Sequence, residues 1–160
     1  MKKILLSLFV ILFSALTVMA DDKQDAINFF NNYIRAANTY SESLGSMYAK
    51  NAKIIRQVVK PDGTTANAYT DTKTYLHQMR LSAAVAKVRK YTNTYRNITA
   101  VPVSGGYKVS AERQPKNETY WLKTYQILKK QPNGKWLITE EMMQTKEQIF
   151  LKYVKEEKKK

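Results

Sequence analysis

Apolar residues crowd the start of the chain, where the run Ile4 to Met19 follows Lys2-Lys3 and ends in Val18-Met19-Ala20 ahead of Asp21-Asp22. A basic start, an apolar stretch and small residues before a polar boundary are the layout of a secretory signal peptide over 1–20, with cleavage after Ala20. An uncleaved anchor is the competing reading, since the run approaches the length that spans a thin bilayer. Beyond it the pattern turns helical. Ile27, Phe30, Ile34 and Ala37 recur at steps of three and four, with Phe29, Tyr33 and Tyr40 widening the stripe, and predict a helix over 22–40. Asp21, Asp22 and Asp25 sit where its dipole favours acids. Ser41 caps a second, short helix that turns Leu44, Met47 and Tyr48 inward and stops at Asn51.

From Ala52 the period is two. Ile54, Ile55, Val58 and Val59 predict a strand over 52–59, Pro61-Asp62-Gly63 a turn, and 64–69 the return strand. Asp71 is the N-cap of a third helix with two stripes, Leu76, Met79, Ala83 and Ala86 beside Leu81, Val85 and Val88, a width that predicts cover by a sheet. A strand over 88–103 ends at Gly105-Gly106, and Tyr107, Val109 and Ala111 alternate with Lys108, Ser110 and Glu112, which leaves Glu112 facing water. The next strand, 119–128, sets Trp121, Tyr125 and Ile127 against Tyr120, Leu122 and Leu128. After Pro132-Asn133-Gly134 the chain returns over 135–143, where alternation groups Glu140 with Trp136, Ile138 and Met142. Strands after Gly105 form an antiparallel meander. Ile149, Phe150, Tyr153 and Val154 then follow helical spacing into a basic end. The organisation is one domain over 21–145 and a basic tail over 146–160.

Composition narrows the chemistry. Among 160 residues there is no cysteine and one histidine, which excludes disulfide scaffolds, cysteine zinc sites, iron–sulfur clusters, thiol nucleophiles and multi-histidine metal sites. No Gly-x-Ser-x-Gly elbow is present either. No metal and no cofactor is therefore expected. Lys and Arg number 27 against 13 Asp and Glu, a charge of +14, and removal of Lys2 and Lys3 leaves +12. Lys87, Arg89, Lys90 and Arg96 form one basic cluster, an anion-binding candidate, and Lys123, Lys129, Lys130 and Lys135 form another. The short dilysine start has a bacterial look and points to a periplasmic or secreted protein. In a eukaryotic secreted protein Asn97-Ile98-Thr99 and Asn117-Glu118-Thr119 would be glycan acceptors.

Helix, short helix, hairpin, helix and a long meander is an element order that resembles the NTF2-like superfamily, the SnoaL or ketosteroid-isomerase-like cone, here as an exported bacterial member. Leu44-Gly45-Ser46-Met47-Tyr48-Ala49-Lys50-Asn51-Ala52 resembles the join of second helix to first strand in that superfamily, Asp62-Gly63 its first hairpin, and Asn133-Gly134-Lys135-Trp136-Leu137-Ile138 its final strand. The resemblance implies an α+β fold, with N-terminal helices packed on a strongly curved, mostly antiparallel sheet around a conical pocket. Enzymes of the superfamily place an acid–base pair in that pocket, usually aspartate with histidine or tyrosine. The candidates here are His77, which lacks an acid at helical partner spacing, and Glu140, with Glu112, Glu118 and Glu141 as further acids. Eleven tyrosines are the most unusual supply of chemistry, and Tyr91, Tyr95, Tyr107, Trp121, Tyr125 and Trp136 are the expected ligand-binding residues.

The leading expectation is an exported, non-enzymatic binding module for a hydrophobic or amphipathic ligand or an acidic protein partner. The alternative is a cone-pocket lyase or isomerase that uses Glu140 or His77 with a tyrosine. An anionic membrane surface and a homodimer are further partners in keeping with the charge and the resemblance. Export argues against nucleic acid.

Overall fold

The computed structural model describes residues 21–154. The expected signal peptide and the end of the basic tail lie outside the described residues. A helix, α1, covers residues 21–38 and buries Ala26, Phe30 and Tyr33, the stripe set by its period. Ser41 then caps a 3-10 turn, Glu42–Met47, its hydroxyl accepting from the Ser43 amide at 3.2 Å. Strand β1, Tyr48–Val59, follows directly. Tyr48 therefore opens a strand and Asn51 lies inside it, where the sequence pattern had extended the short helix over both.

Strand β2, Thr65–Thr70, completes the hairpin, and Asp71 caps helix α2, Thr72–Val88, through the Thr74 amide at 2.9 Å. Strands β3, Asn93–Val103, β4, Gly106–Pro115, β5, Leu122–Lys130, and β6, Trp136–Thr145, are followed by a second 3-10 turn, Gln148–Tyr153. The sheet order is β2-β1-β6-β5-β4-β3, antiparallel throughout except that β1 runs parallel to β6. The register shifts between Tyr48 and Lys53, between Arg96 and Thr99, and between Ile127 and Leu128. Such bulges bend and twist strands, which is how a sheet of this length curves around its helices. The core lies between, with Phe30, Ile54, Val109, Leu128 and Ile138 essentially inaccessible to solvent.

Several expectations shift. Strand β3 begins at Asn93 because residues up to Val88 are still helical and Lys90, at φ 49, turns the chain. Strand β5 begins at Leu122, so Tyr120 and Trp121 lie in the connection before it. Sheet cover of α2 is partial. Leu76, Met79, Ala83 and Ala86 are half-buried, while Leu81, Val85 and Val88 are 67%, 53% and 84% exposed. A helix presents one arc to one partner, and here that arc takes the first stripe and leaves the second outside. The tail forms a 3-10 turn rather than an α-helix, and Val154 bridges to Ala68 at the β2 edge.

Candidate functional site

A cavity of about 840 Å³ lies between α2, the end of α1 with the turn after it, and the helix-facing side of the sheet. Its walls are largely apolar: the α2 stripe Leu76, Met79, Ala83 and Ala86, together with Leu44 and Phe150. Its floor is polar and includes Tyr33, Arg56, Tyr75, Tyr95 and Arg113.

Under that floor the Glu141 carboxylate has no solvent exposure. Its Oε1 accepts from Arg56 Nη1 and Nη2, both at 3.2 Å, and from the Tyr75 hydroxyl at 3.3 Å. Oε2 accepts from the Tyr48 hydroxyl at 2.6 Å and from Gln126 Nε2 at 3.1 Å. Two carboxylate oxygens offer about four lone-pair sites, so five donors saturate them. The Arg56 guanidinium also lies 4.7 Å from the centre of the Tyr75 ring. Burial, and then the Glu141 charge, push the phenols of Tyr33 and Tyr48 well above their ordinary range. Tyr75 rises to about 12 for the same two reasons, with Arg56 opposing. Burial raises Tyr95 too, against the pull of Arg113. Burial disfavours the Arg56 charge, yet Tyr75 and Glu141 outweigh it and hold the guanidinium protonated. These tyrosines are neutral hydrogen-bond donors, not bases.

Arg113 is the other buried cation, 7% exposed, and faces Tyr95 across the β3–β4 pair. Its Nη1 donates to Asn93 Oδ1 at 2.6 Å and its Nη2 to the Gln144 carbonyl at 2.9 Å, while Nε has no hydrogen-bond partner among the described residues. Arg80, Lys87 and Glu42 stand around the cavity above it.

Of the aromatic residues singled out by the sequence, Tyr91 and Tyr95 line this cavity. Tyr107 and Trp136 pack against each other in the core, ring centres 6.3 Å apart. Trp121 and Tyr125 lie on the outer face, under Arg96 at 3.9 Å and Lys108 at 4.1 Å. Glu140 is on that outer face as well, where it accepts from the Tyr125 hydroxyl at 2.6 Å and lies 3.8 Å from Lys53. The cause is one extra residue. Ile127 pairs with Glu140 but Leu128 pairs with Ile138, so Thr139 is bulged, its hydroxyl bonded to the Ile127 carbonyl at 3.1 Å. Past the bulge the alternation inverts, sending Glu141, Met143 and Thr145 inward and Glu140 out.

His77 is exposed on α2 and does not line the cavity. Glu118 is exposed before β5, and Glu112 accepts from Arg96 Nε at 2.7 Å. That pairing separates Arg96 from its sequence cluster. Lys87 lines the cavity, while Arg89 and Lys90 are exposed at the end of α2. Arg56, Arg113 and Tyr75 carried no expectation from the sequence and Tyr48 only that of facing inward, although a signal existed for the arginines. Each continues an inward series, Ile54-Arg56-Val58 and Tyr107-Val109-Ala111-Arg113, so a charge stands at a core position. Among the described residues no group of histidine, aspartate and glutamate is arranged to hold a metal ion.

No protein-family model and no curated protein matches this sequence. Solved structures do resemble it. An NTF2-like protein with a cystatin-like fold from Novosphingobium aromaticivorans matches at TM-score 0.62 and 8% identity over 84% of this chain and 88% of that one. A candidate dehydratase from the NTF2-like family of Streptomyces avermitilis matches at 0.60 and 10% identity, over 78% and 96%. A candidate ketosteroid isomerase from Shewanella frigidimarina matches at 0.52 and 17% identity, over 72% and 91%. The chain has the NTF2-like fold, α+β with helices on a curved six-stranded sheet. Proteins of this fold include candidate isomerases and dehydratases as well as chains with no stated activity, so the fold does not choose among functions.

Proposed function

We propose that this protein is a non-enzymatic binding module that takes a small molecule with an apolar body into the cavity beneath α2. The volume, about 840 Å³, is within the range of roughly 300–1,000 Å³ typical of small-molecule sites. The observation that carries the proposal is the saturated Glu141 carboxylate: five donors hold it, and the tyrosines around it keep their protons. A lyase or isomerase needs a base free to take a proton from its substrate. Neither Glu140 nor His77 lines the cavity to supply one. The proposal also takes residues 1–20 as a cleaved signal peptide, so that the module works in the periplasm or outside the cell; intact mass of protein from its native host should begin at Asp21.

N-phenyl-1-naphthylamine, a neutral apolar fluorophore, tests the cavity. Saturable binding that is lost in Ala83→Trp, where an indole fills the space beside α2, is the expected result. Absence of binding, or binding unchanged in Ala83→Trp, overturns the proposal.

A further inference from the structure

We infer that the molecule taken into this cavity is an organic anion and that Arg113 receives its anionic group. The inference rests on the binding role proposed above and adds the chemical class of the ligand. Its ground is a charge imbalance at the floor. Arg56 and Arg113 both stand at inward positions of the sheet, but only Arg56 has a carboxylate. Arg113 takes part in none of the salt bridges among the described residues; its two partners, Asn93 Oδ1 and the Gln144 carbonyl, are neutral.

A guanidinium carries five N–H donors, and these contacts use two. Removing such a charge from water without a counter-charge is costly, and a protein offsets that cost with a paired acid or a bound anion. No acid is supplied by the described chain. Of the charged side chains that line the cavity, Arg56 is cancelled by Glu141, and Arg80, Lys87 and Arg113 outnumber Glu42. The excess is positive, and its most buried member lies at the floor, beneath the apolar wall of α2. A carboxylate, sulfonate or phosphate on an apolar body meets both halves of that arrangement, because a planar guanidinium pairs with such oxyanions through parallel N–H bonds.

Two fluorophores that share one anilinonaphthalene body separate the parts of this argument. 1-Anilinonaphthalene-8-sulfonate carries an anion and N-phenyl-1-naphthylamine does not. The unmodified protein should bind the sulfonate about tenfold more tightly or better, as a charge-assisted contact implies, and the neutral probe should displace it. In Arg113→Gln the preference should vanish, the ratio of the two affinities falling to about one. Arg113→Lys, which keeps the charge and serves if the glutamine variant does not fold, should retain part of it. Equal binding of the two probes by the unmodified protein, or an undiminished preference in Arg113→Gln, overturns the anion assignment and leaves the cavity role standing. Sulfonate binding that survives Ala83→Trp is surface attraction to a basic protein, and also counts against Arg113. Failure of the neutral probe to bind at all removes the cavity role itself.

Discussion

Arg56 on β1 and Glu141 on β6 are 85 positions apart in the chain, yet both terminal nitrogens of the guanidinium rest 3.2 Å from the same carboxylate oxygen. The parallel pairing of the two strands sets Ile54 beside Glu141 and Arg56 beside Met143, so the two side chains converge along the inner face. Removing one member strands the other charge out of water. Glu141→Gln should cost about 3–5 kcal/mol in urea unfolding. Arg56→Met combined with Glu141→Gln should cost less than the sum of the single changes by more than about 1 kcal/mol, since contacting charges are coupled. Strict additivity would show that the pair is not energetically linked.

The bulge at Thr139 decides which of two adjacent glutamates enters the fold. Deleting Thr139 removes the bulge but leaves Ile138 inward, Glu140 outward and Glu141 inward, because the Leu128–Ile138 and Ile127–Glu140 pairs then follow one another in simple alternation. That variant should keep the Arg56–Glu141 pair and lose only the local bend, about 1–3 kcal/mol in urea unfolding, and a crystal structure showing Glu140 inside would contradict the bulge at Thr139. Glu140→Gln and His77→Gln, by contrast, should each shift stability by under about 1 kcal/mol and leave fluorophore binding unchanged. A loss of binding in either of these would revive a catalytic or ligand role for it.

Alkali should unfold the protein through its tyrosines. In the unfolded chain a phenol ionises near pH 10, whereas Tyr75 in the fold does so at about 12 and Tyr33, Tyr48 and Tyr95 are also raised. The folded state thus holds protons that the unfolded state releases. The stability from this source is complete below pH 10 and falls as pH climbs toward 12. Ultraviolet phenolate absorbance should accordingly rise in two stages, the second coinciding with loss of circular dichroism. A single smooth titration, with the fold intact, contradicts burial of these four rings.

Gly106 has no room for a side chain. A Cβ there would lie 1.9 Å from the Leu128 carbonyl oxygen, which belongs to the ladder and has no room to move aside. Gly106→Ala should therefore lower stability by more than about 2 kcal/mol. At Gly63 nothing lies within 4 Å and only its φ of +83° opposes a side chain, so Gly63→Ala should cost about 1–2 kcal/mol. Thermal melts that rank the two variants in the opposite order would disprove the close approach of β4 to β5.

Periodicity and turn chemistry carried most of the fold. The α1 stripe, the Asp71 cap, the Asp62-Gly63 turn and the β4–β6 meander all follow from local residues, and their order sufficed for the NTF2-like expectation. The floor of the cavity was less legible because it depends on pairing between distant strands. Strict alternation along 135–143 has no means of anticipating Thr139, where the extra residue is defined only by the partner strand β5. One bulge thus exchanged the roles of Glu140 and Glu141. Tyrosine number was a poor guide for a similar reason: Tyr107 and Tyr125 occupy strand positions as regular as that of Tyr95, and only the three-dimensional course of the sheet separates core, outer face and cavity.

The parallel contact between β1 and β6 also orders events in time. Arg56 leaves the ribosome 85 residues ahead of Glu141, and until the last strand arrives its charge has no counterpart in the growing chain. The early hairpin and α2 rest on local contacts, whereas the floor waits for a long-range closure that is slow by its topology. A chain still in transit is thus an open half-structure, with an unpaired strand edge at β1 and a solvated arginine, and its cavity gains a complete floor only once β6 has been made.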